Sequence, residues 1–191
     1  AASKPCGVAT SKAFWTGTEM IIWGGVGSSP QYKNDGGRYN PTTDSWVPTS
    51  MENNTPVNRR LHSAAWTGSE MIIWGGCDNT ANDFNTGGKY YPSTDTWILT
   101  STGTGVPTGR QAHSTVWTGT EMIVWGGWGG DYLNSGAKYN PTGDSWIATS
   151  TGGNCPSPRQ YHTAIWTGEE MIIWGGAYSN VPTNTGGKYK P

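Results

Sequence analysis

The stretch WTGTEMIIWGG occupies residues 15 to 25 and returns three times almost unchanged: as WTGSEMIIWGG from Trp66, WTGTEMIVWGG from Trp117 and WTGEEMIIWGG from Trp166. The spacings are 51, 51 and 49 residues. Units of that length rich in short strands bury their apolar faces by stacking on one another, so the chain reads as a repeat array. Within the unit, TGT turns the chain and Glu19 opens the strand EMIIW, which runs into the pair Gly24, Gly25. Met20 and Ile22 point one way and Ile21 and Trp23 the other, so both faces are apolar, as in a strand sandwiched between layers.

Working outward, residues 26 to 33 read as a loop, NDGGRYNP as a third strand, and PTTDSW as a turn into a fourth strand around Trp46. Asp44 is placed to cap that turn by accepting backbone N–H bonds. The order repeats as NTGGKYYPSTDTW and NSGAKYNPTGDSW, and the last unit ends NTGGKYKP. Four antiparallel strands per unit make a β-propeller blade. The expectation is an all-β fold: a leader at residues 1–10, then one propeller domain or propeller fragment over 11–191, with blades at about 11–50, 58–101, 109–150 and 158–191. Pro191 aligns with Pro41, Pro92 and Pro141, so the last blade is expected to lack its outer strand. Two readings stand open: the remaining blades are supplied by more protein, or the array closes in another way. The first is preferred, as an additional chain or a homo-oligomer, because an open array ends in exposed apolar blade faces.

The hydrophobic content of 34% is low for one large core, and 12 Trp and 9 Tyr make up the deficit with wide apolar faces. With 29 Gly and 12 Pro among short apolar runs, turns and strands fit and helices do not. Twelve basic against 13 acidic residues, without runs of either sign, give no electrostatic footprint for nucleic acid or an anionic membrane. No window approaches the roughly 20 apolar residues of a membrane span. The opening AAS suits a mature secreted product and equally an excised fragment; Asn53, followed by Asn54 and Thr55, forms a sequon.

Four copies in one chain separate what every blade needs from what one blade adds. Eleven of the 12 Trp fall in register and read as packing residues. Glu19, Glu70, Glu121 and Glu170 start the second strands, opposite Arg38, Lys89, Lys138 and Lys188 on the third, which suggests one cross-strand ion pair per blade. The most suggestive repeat is RxxH: Arg59 with His62, Arg110 with His113, Arg159 with His162. Structurally, Arg would brace a loop through carbonyls of the next blade and His would bond a turn carbonyl. Functionally, three His around a channel would make a metal or anion site, but blade 1 has Val8 and Ser11 in their place, and the structural reading is preferred, with no metal and no cofactor expected.

Loops between second and third strands carry the non-repeating residues: Tyr32 with Gln31, Asp78 after Cys77, then Trp128 with Asp131 and Tyr132, then Tyr178 with Asn180. Trp128 is the one Trp outside the register. An aromatic beside Asp and Tyr on a propeller face suits stacking on a sugar or anchoring a protein contact; the alternative is a loop packed on itself. Three Cys allow one pair at most, and Cys6 with Cys155 would tie blade 1 to blade 4, against the alternative of free thiols.

A Gly pair ending the second strand, an aromatic ending the third, a Trp in the fourth and a period near 50, carried by Gly36, Gly37, Trp46 and their counterparts, resemble kelch repeats, especially the secreted bacterial kind. The resemblance covers residues 11 to 191 and implies a kelch β-propeller. Such propellers range from interaction scaffolds to carbohydrate-active oxidases and sugar epimerases, so the fold alone selects no activity. The expected function is a non-catalytic binding or scaffold module contacting protein or glycan through its loop face. The alternatives are a structural subunit joined through its open edge strand, and a carbohydrate-active enzyme. No catalytic residue can be assembled from spacing.

Overall fold

The computed structural model describes residues 9–28, 32–80 and 82–191. Blade 1 comprises β1 (Lys12–Trp15), β2 (Met20–Val26), β3 (Tyr32–Asn40) and β4 (Ser45–Pro48). Blade 2 holds β5 (Ser63–Trp66), β6 (Met71–Trp74), β7 (Gly87–Tyr91) and β8 (Thr96–Leu99), and blade 3 holds β9 (Ser114–Trp117), β10 (Met122–Trp125), β11 (Gly136–Asn140) and β12 (Ser145–Ala148). Each is a four-stranded antiparallel sheet in sequence order. Blade 4 pairs β13 (Thr163–Trp166), β14 (Met171–Trp174) and β17 (Gly186–Tyr189), with a separate hairpin of β15 (Ala177–Tyr178) and β16 (Val181–Pro182). Among the described residues there is no helix, and hence none that could cross a membrane.

The hairpin at the start of each blade closes through its Thr: Glu19 N donates to Thr16 Oγ1 (3.0 Å), and Thr16 N donates to Glu19 O (2.9 Å). Glu19 therefore completes the turn, and the strand begins one residue later, at Met20, opposite Trp15. In blade 1 the predicted loop at residues 26 to 33 is shorter than expected, because Val26 pairs with Tyr32 and Gly25 with Lys33. Ala9, assigned to the leader, pairs with Val26 as Arg60 pairs with Cys77 and Gln111 with Trp128.

The alternating apolar faces of the second strands do the packing. Ile21 and Trp23 of blade 1 meet Met71 and Ile73 of blade 2; Ile72 and Trp74 meet Met122 and Val124; Ile123 and Trp125 meet Met171 and Ile173. Strands β6 and β10, with a blade on either side, are buried at all four positions, whereas β14 buries Met171 and Ile173 and exposes Ile172 and Trp174. Burying such side chains contributes on the order of 1.5–3 kcal/mol each, so each blade depends on its neighbours.

A polar stitch accompanies each interface. The second Gly of one blade donates its N–H to the carbonyl of the next blade's RxxH arginine: Gly25 to Arg59 (2.9 Å), Gly76 to Arg110 (2.8 Å), Gly127 to Arg159 (2.8 Å). The histidine three residues on sets its ring edge-on to the preceding blade's Trp, with centroids 5.5 Å apart for Trp23–His62, 5.4 Å for Trp74–His113 and 5.1 Å for Trp125–His162. Its Nε2 meets a serine hydroxyl of that blade rather than the turn carbonyl expected, Ser63 at 2.6 Å for His113 and Ser114 at 2.7 Å for His162. The buried guanidinium braces its own blade instead of the next: Arg59 Nη1 donates to Gly75 O (2.9 Å) and Thr86 O (2.7 Å). The side chain runs beneath its own second-to-third-strand loop, and the backbone reaches the blade before, through the carbonyl and through an N–H that donates to Lys33 O in the case of Arg59 (3.0 Å).

The outer strands are locked similarly. Trp97 Nε1 donates to Ser50 O (3.2 Å) and Ser50 N to Asp95 Oδ1 (2.9 Å), while Tyr90 Oη donates to the same carboxylate oxygen (2.6 Å). Blade 3 repeats this onto Ser101 through Trp146 and Asp144. These aspartates thus fasten one blade to the previous one. Capping of the turn itself falls to Asn40 and Asn140, whose side-chain oxygens accept backbone N–H bonds, so the capping role read for Asp44 belongs to Asn40; Asp44 accepts from Tyr39 Oη (2.8 Å). Among the described residues the cross-strand ion pair forms in blades 1, 3 and 4, at 3.8 Å for Glu19–Arg38 and 3.2 Å for both Glu121–Lys138 and Glu170–Lys188. In blade 2, Lys89 Nζ donates to Pro141 O instead (3.1 Å) and Glu70 takes the Tyr91 hydroxyl.

Gly75 has φ +71°, and a Cβ there would lie 2.5 Å from His113 Cε1, whereas Gly68 has φ +107° and open space around it. Gly75→Ala should therefore lose more stability than Gly68→Ala, by about 1–3 kcal/mol for the added clash, measured by urea unfolding. The second expectation concerns pH. Burial and the neighbouring arginine hold His62 and His162 down at about 3 and about 4, and push His113 well below its ordinary value. The unfolded chain takes up these protons near pH 6.5 while the folded chain refuses them, so stability is full above that pH and falls below it. The decline is about 1.4 kcal/mol per pH unit for each His still neutral. Thermal melts between pH 7 and 5, above the carboxylate range, should show it, with a shallower slope for His162→Asn.

Candidate functional site

The backbone that leaves β10 makes the site. Gly126 and Gly127, at φ +69° and +96°, swing the chain out of the sheet. Trp128 is then held by the segment ahead of β9, its N–H donating to Gln111 O (2.9 Å) and its carbonyl accepting from Gln111 N (2.8 Å). The tip Gly129, Gly130, Asp131 folds back so that Tyr132 bridges to Trp128, with Gly130 at φ +82° and Tyr132 N donating to Asp131 Oδ1 (2.7 Å). The two rings meet edge to face, 4.8 Å apart at 84°.

Blade 4 supplies the third ring. Its hairpin β15–β16 turns through Ser179 and Asn180, at φ +49° and +62°, the mirror-image two-residue turn suited to twisted strands. This places Tyr178, 49% exposed, with its ring 4.9 Å from Tyr132 and tilted 50° to it. Trp128, Tyr132 and Tyr178 thus form one aromatic cluster across the boundary between blades 3 and 4, with Asp131 exposed at its edge.

The other two candidates lie elsewhere. Tyr32 is 6% exposed, lying in β3 with the Arg60 guanidinium 5.0 Å over its ring. It was read as a loop residue because the strand pairing that extends past Gly25 left no mark in the motif. Asp78 spends its carboxylate on its own loop, accepting from Thr80 N and Thr80 Oγ1 (2.8 Å each), Asn82 N (3.0 Å) and Asn82 Nδ2 (2.9 Å). Those bonds hold it down at about 2, a loop-closing role. Cys77 is a buried thiol donating to Gln111 Oε1 (3.1 Å), and Cys155 a free thiol donating to Asn134 O (3.1 Å); burial raises both above the ordinary thiol value. Cys6 and Gln31 lie outside the described residues.

Sequence reading missed Tyr161. It stands 60% exposed between Arg159 and His162, at φ +56°, and the RxxH register concealed it as a framework position. Chemically, the cluster offers π faces and edges with one carboxylate beside them, suited to apolar contact and to cation–π capture of a Lys or Arg. The Ser63–His113 and Ser114–His162 pairs have the reach of a nucleophile and its base, but their chemistry is that of the frame. Both serines are buried, Nδ1 of each histidine lacks a partner that would orient it, and neither ring takes a proton near neutral pH. Among the described residues no three His, Cys, Asp or Glu gather in a metal-holding group.

Comparison with known proteins gives the same architecture. The KLHDC2/KLHL20/DRC7 Kelch-repeats domain family matches residues 2–185. The chain is similar to Kelch domain-containing protein 3 of Homo sapiens, 31% identical over 109 residues that cover 56% of this chain and 28% of that protein, and to its Bos taurus counterpart to the same extent. It is also similar to Tip elongation aberrant protein 1 of Schizosaccharomyces pombe, 29% identical over 114 residues, 58% of this chain and 10% of that one. The matched stretch thus spans little more than a quarter of the length of these curated relatives at most. With the family matching nearly its whole length and its blades built as described, this chain belongs to the kelch-repeat family.

Proposed function

We propose that the chain is a non-catalytic protein-binding module whose contact surface is the loop face over blades 3 and 4. The observation that carries this reading is the Trp128–Tyr132–Tyr178 cluster, the place where non-repeating aromatics gather on a repeating frame. Such side chains anchor interfaces because each brings a large apolar area at small entropic cost. A glycan is the second ligand class, with Asp131 as hydroxyl acceptor. The 84° and 50° angles favour protein, since they give a wedge that suits an inserted side chain rather than a flat platform for a sugar ring. Assembly with further protein is supported by blade 4, where Trp174 and Ile165 are 60% and 59% exposed on a face that every inner blade buries. An extracellular setting belongs to the same proposal, and the exposed position of Asn53 in the linker after blade 1 suits it.

A peptide-display selection on the 191-residue chain, counter-selected on Trp128→Ala, tests the loop face. Selected peptides should bind the parent and weaken at least tenfold on Trp128→Ala and on Tyr178→Ala, with unchanged thermal melts. Equal binding to all three proteins would place the contact surface elsewhere, and a glycan array positive where peptides fail would move the ligand class to carbohydrate.

A further inference from the structure

The first two blades show what covers an aromatic ring on the loop face. Between the Gly pair and the glycines of the third strand, blade 1 carries one aromatic residue, Tyr32, and blade 2 carries one, Phe84. Each has a guanidinium over its ring: Arg60 stands 5.0 Å from the centre of Tyr32, and Arg59 4.6 Å from that of Phe84. The same stretch of blades 3 and 4 holds Trp128, Tyr132 and Tyr178. Among the described residues no arginine or lysine lies over these three rings.

The repeat accounts for the difference. Tyr32 and Tyr132 hold equivalent places, since Tyr32 pairs with Val26 and Tyr132 with Trp128, in each case the residue just after the Gly pair. The residue that follows the RxxH arginine bridges to that same position of its own blade, Arg60 to Cys77, Gln111 to Trp128 and Gln160 to Ala177. From there Arg60 reaches back to Tyr32 of blade 1, and the Gln111 side chain bonds Asp83 of blade 2. For Tyr132 the residue in that series is Gln160, which brings no charge.

The charges around the cluster are of one sign. Residues 126–135 contain one acid, Asp131, and no base, and residues 175–185 contain neither. Asp131 is exposed, with Oδ1 turned to the Tyr132 N–H (2.7 Å). A second carboxylate, Asp83, reaches from blade 2 to the Gly130 N–H at the tip of the same loop. Aromatic faces are negative as well, so rings and acids together attract a cation. A guanidinium suits the place better than an ammonium. It is flat enough to stack on a ring, and its donors fan out in its own plane to a carboxylate at the ring's edge.

We infer, on the reading of the loop face as the contact surface, that the Trp128–Tyr132–Tyr178 cluster captures an arginine side chain of the partner protein. Its guanidinium lies over Tyr132 as Arg60 lies over Tyr32, and it donates to Asp131.

Two peptide-display libraries, one with its central residue fixed as Arg and one as Gln, are panned on the 191-residue chain and depleted on Trp128→Ala. Binders that depend on Trp128 should come from the Arg library. For the strongest of them, fluorescence anisotropy should show binding weakened at least about tenfold when citrulline, which keeps the shape and loses the charge, replaces Arg. Asp131→Asn should weaken the arginine peptide several-fold and leave the citrulline peptide unchanged, a coupling that a purely structural role for Asp131 would not produce. Gln160→Arg gives blade 4 the residue that blade 2 carries at that place. It should cover Tyr132 from within and weaken the peptide at least tenfold, with an unchanged thermal melt. Full-strength binding to Gln160→Arg overturns the placement over Tyr132. Trp128-dependent binders of equal strength from both libraries, or tolerance of citrulline, overturn the arginine assignment and leave the protein-contact reading standing. No Trp128-dependent binder from either library overturns both.

Discussion

The structure depends on one contact repeated between successive blades: a glycine pair in left-handed conformation against the backbone of the next blade's RxxH segment, with the histidine edge-on to the tryptophan just before the glycines. That contact is both polar and apolar. Gly25, Gly76 and Gly127 donate to an arginine carbonyl while Trp23, Trp74 and Trp125 are covered by an imidazole. The arginine then secures its own loop through Gly75 and Thr86 or their equivalents. Because its carbonyl points to one blade and its guanidinium to another part of its own, a single residue couples inter-blade contact to loop shape.

That coupling explains how a chain with 34% hydrophobic residues holds together. Flat sheets with two apolar faces share their core with neighbours, so little of each interior is private to a blade. The charged groups drawn into the interfaces are satisfied by carbonyls rather than by acids: Arg59 and Arg110 are 1% exposed, and burial lowers both to about 10, which leaves them charged at neutral pH. A frame so regular frees the connections above it, and there the one unregistered tryptophan finds two tyrosines.

What the sequence disclosed follows from repetition. Period, strand order and the alternating faces of the second strand were legible, because each rests on local pattern and four copies average out accident. The grouping of Trp128, Tyr132 and Tyr178 was legible as a list and not as a cluster, since Tyr178 reaches Tyr132 through a hairpin set by the left-handed Ser179 and Asn180. Tyr32 and Asp78 misled for opposite reasons: one is drawn into a strand by pairing beyond its Gly-Gly pair, the other is consumed by its own loop. Asp44 misled because its partners are set by tertiary contact: its counterparts in blades 2 and 3 bond residues 45 and 43 positions away, beyond the reach of any turn signature.

Lys12 occupies in blade 1 the place held by Ser63 and Ser114 in blades 2 and 3, and His62, fully enclosed, has neither ring nitrogen paired. The units are therefore not interchangeable. A blade carrying lysine at that place denies the following imidazole its hydroxyl wherever it is transplanted, as it does for His62 here. Duplication of an inner unit, by contrast, carries both halves of the joint with it. Growth of such an array by copying is easiest through units that bring the serine and the histidine together.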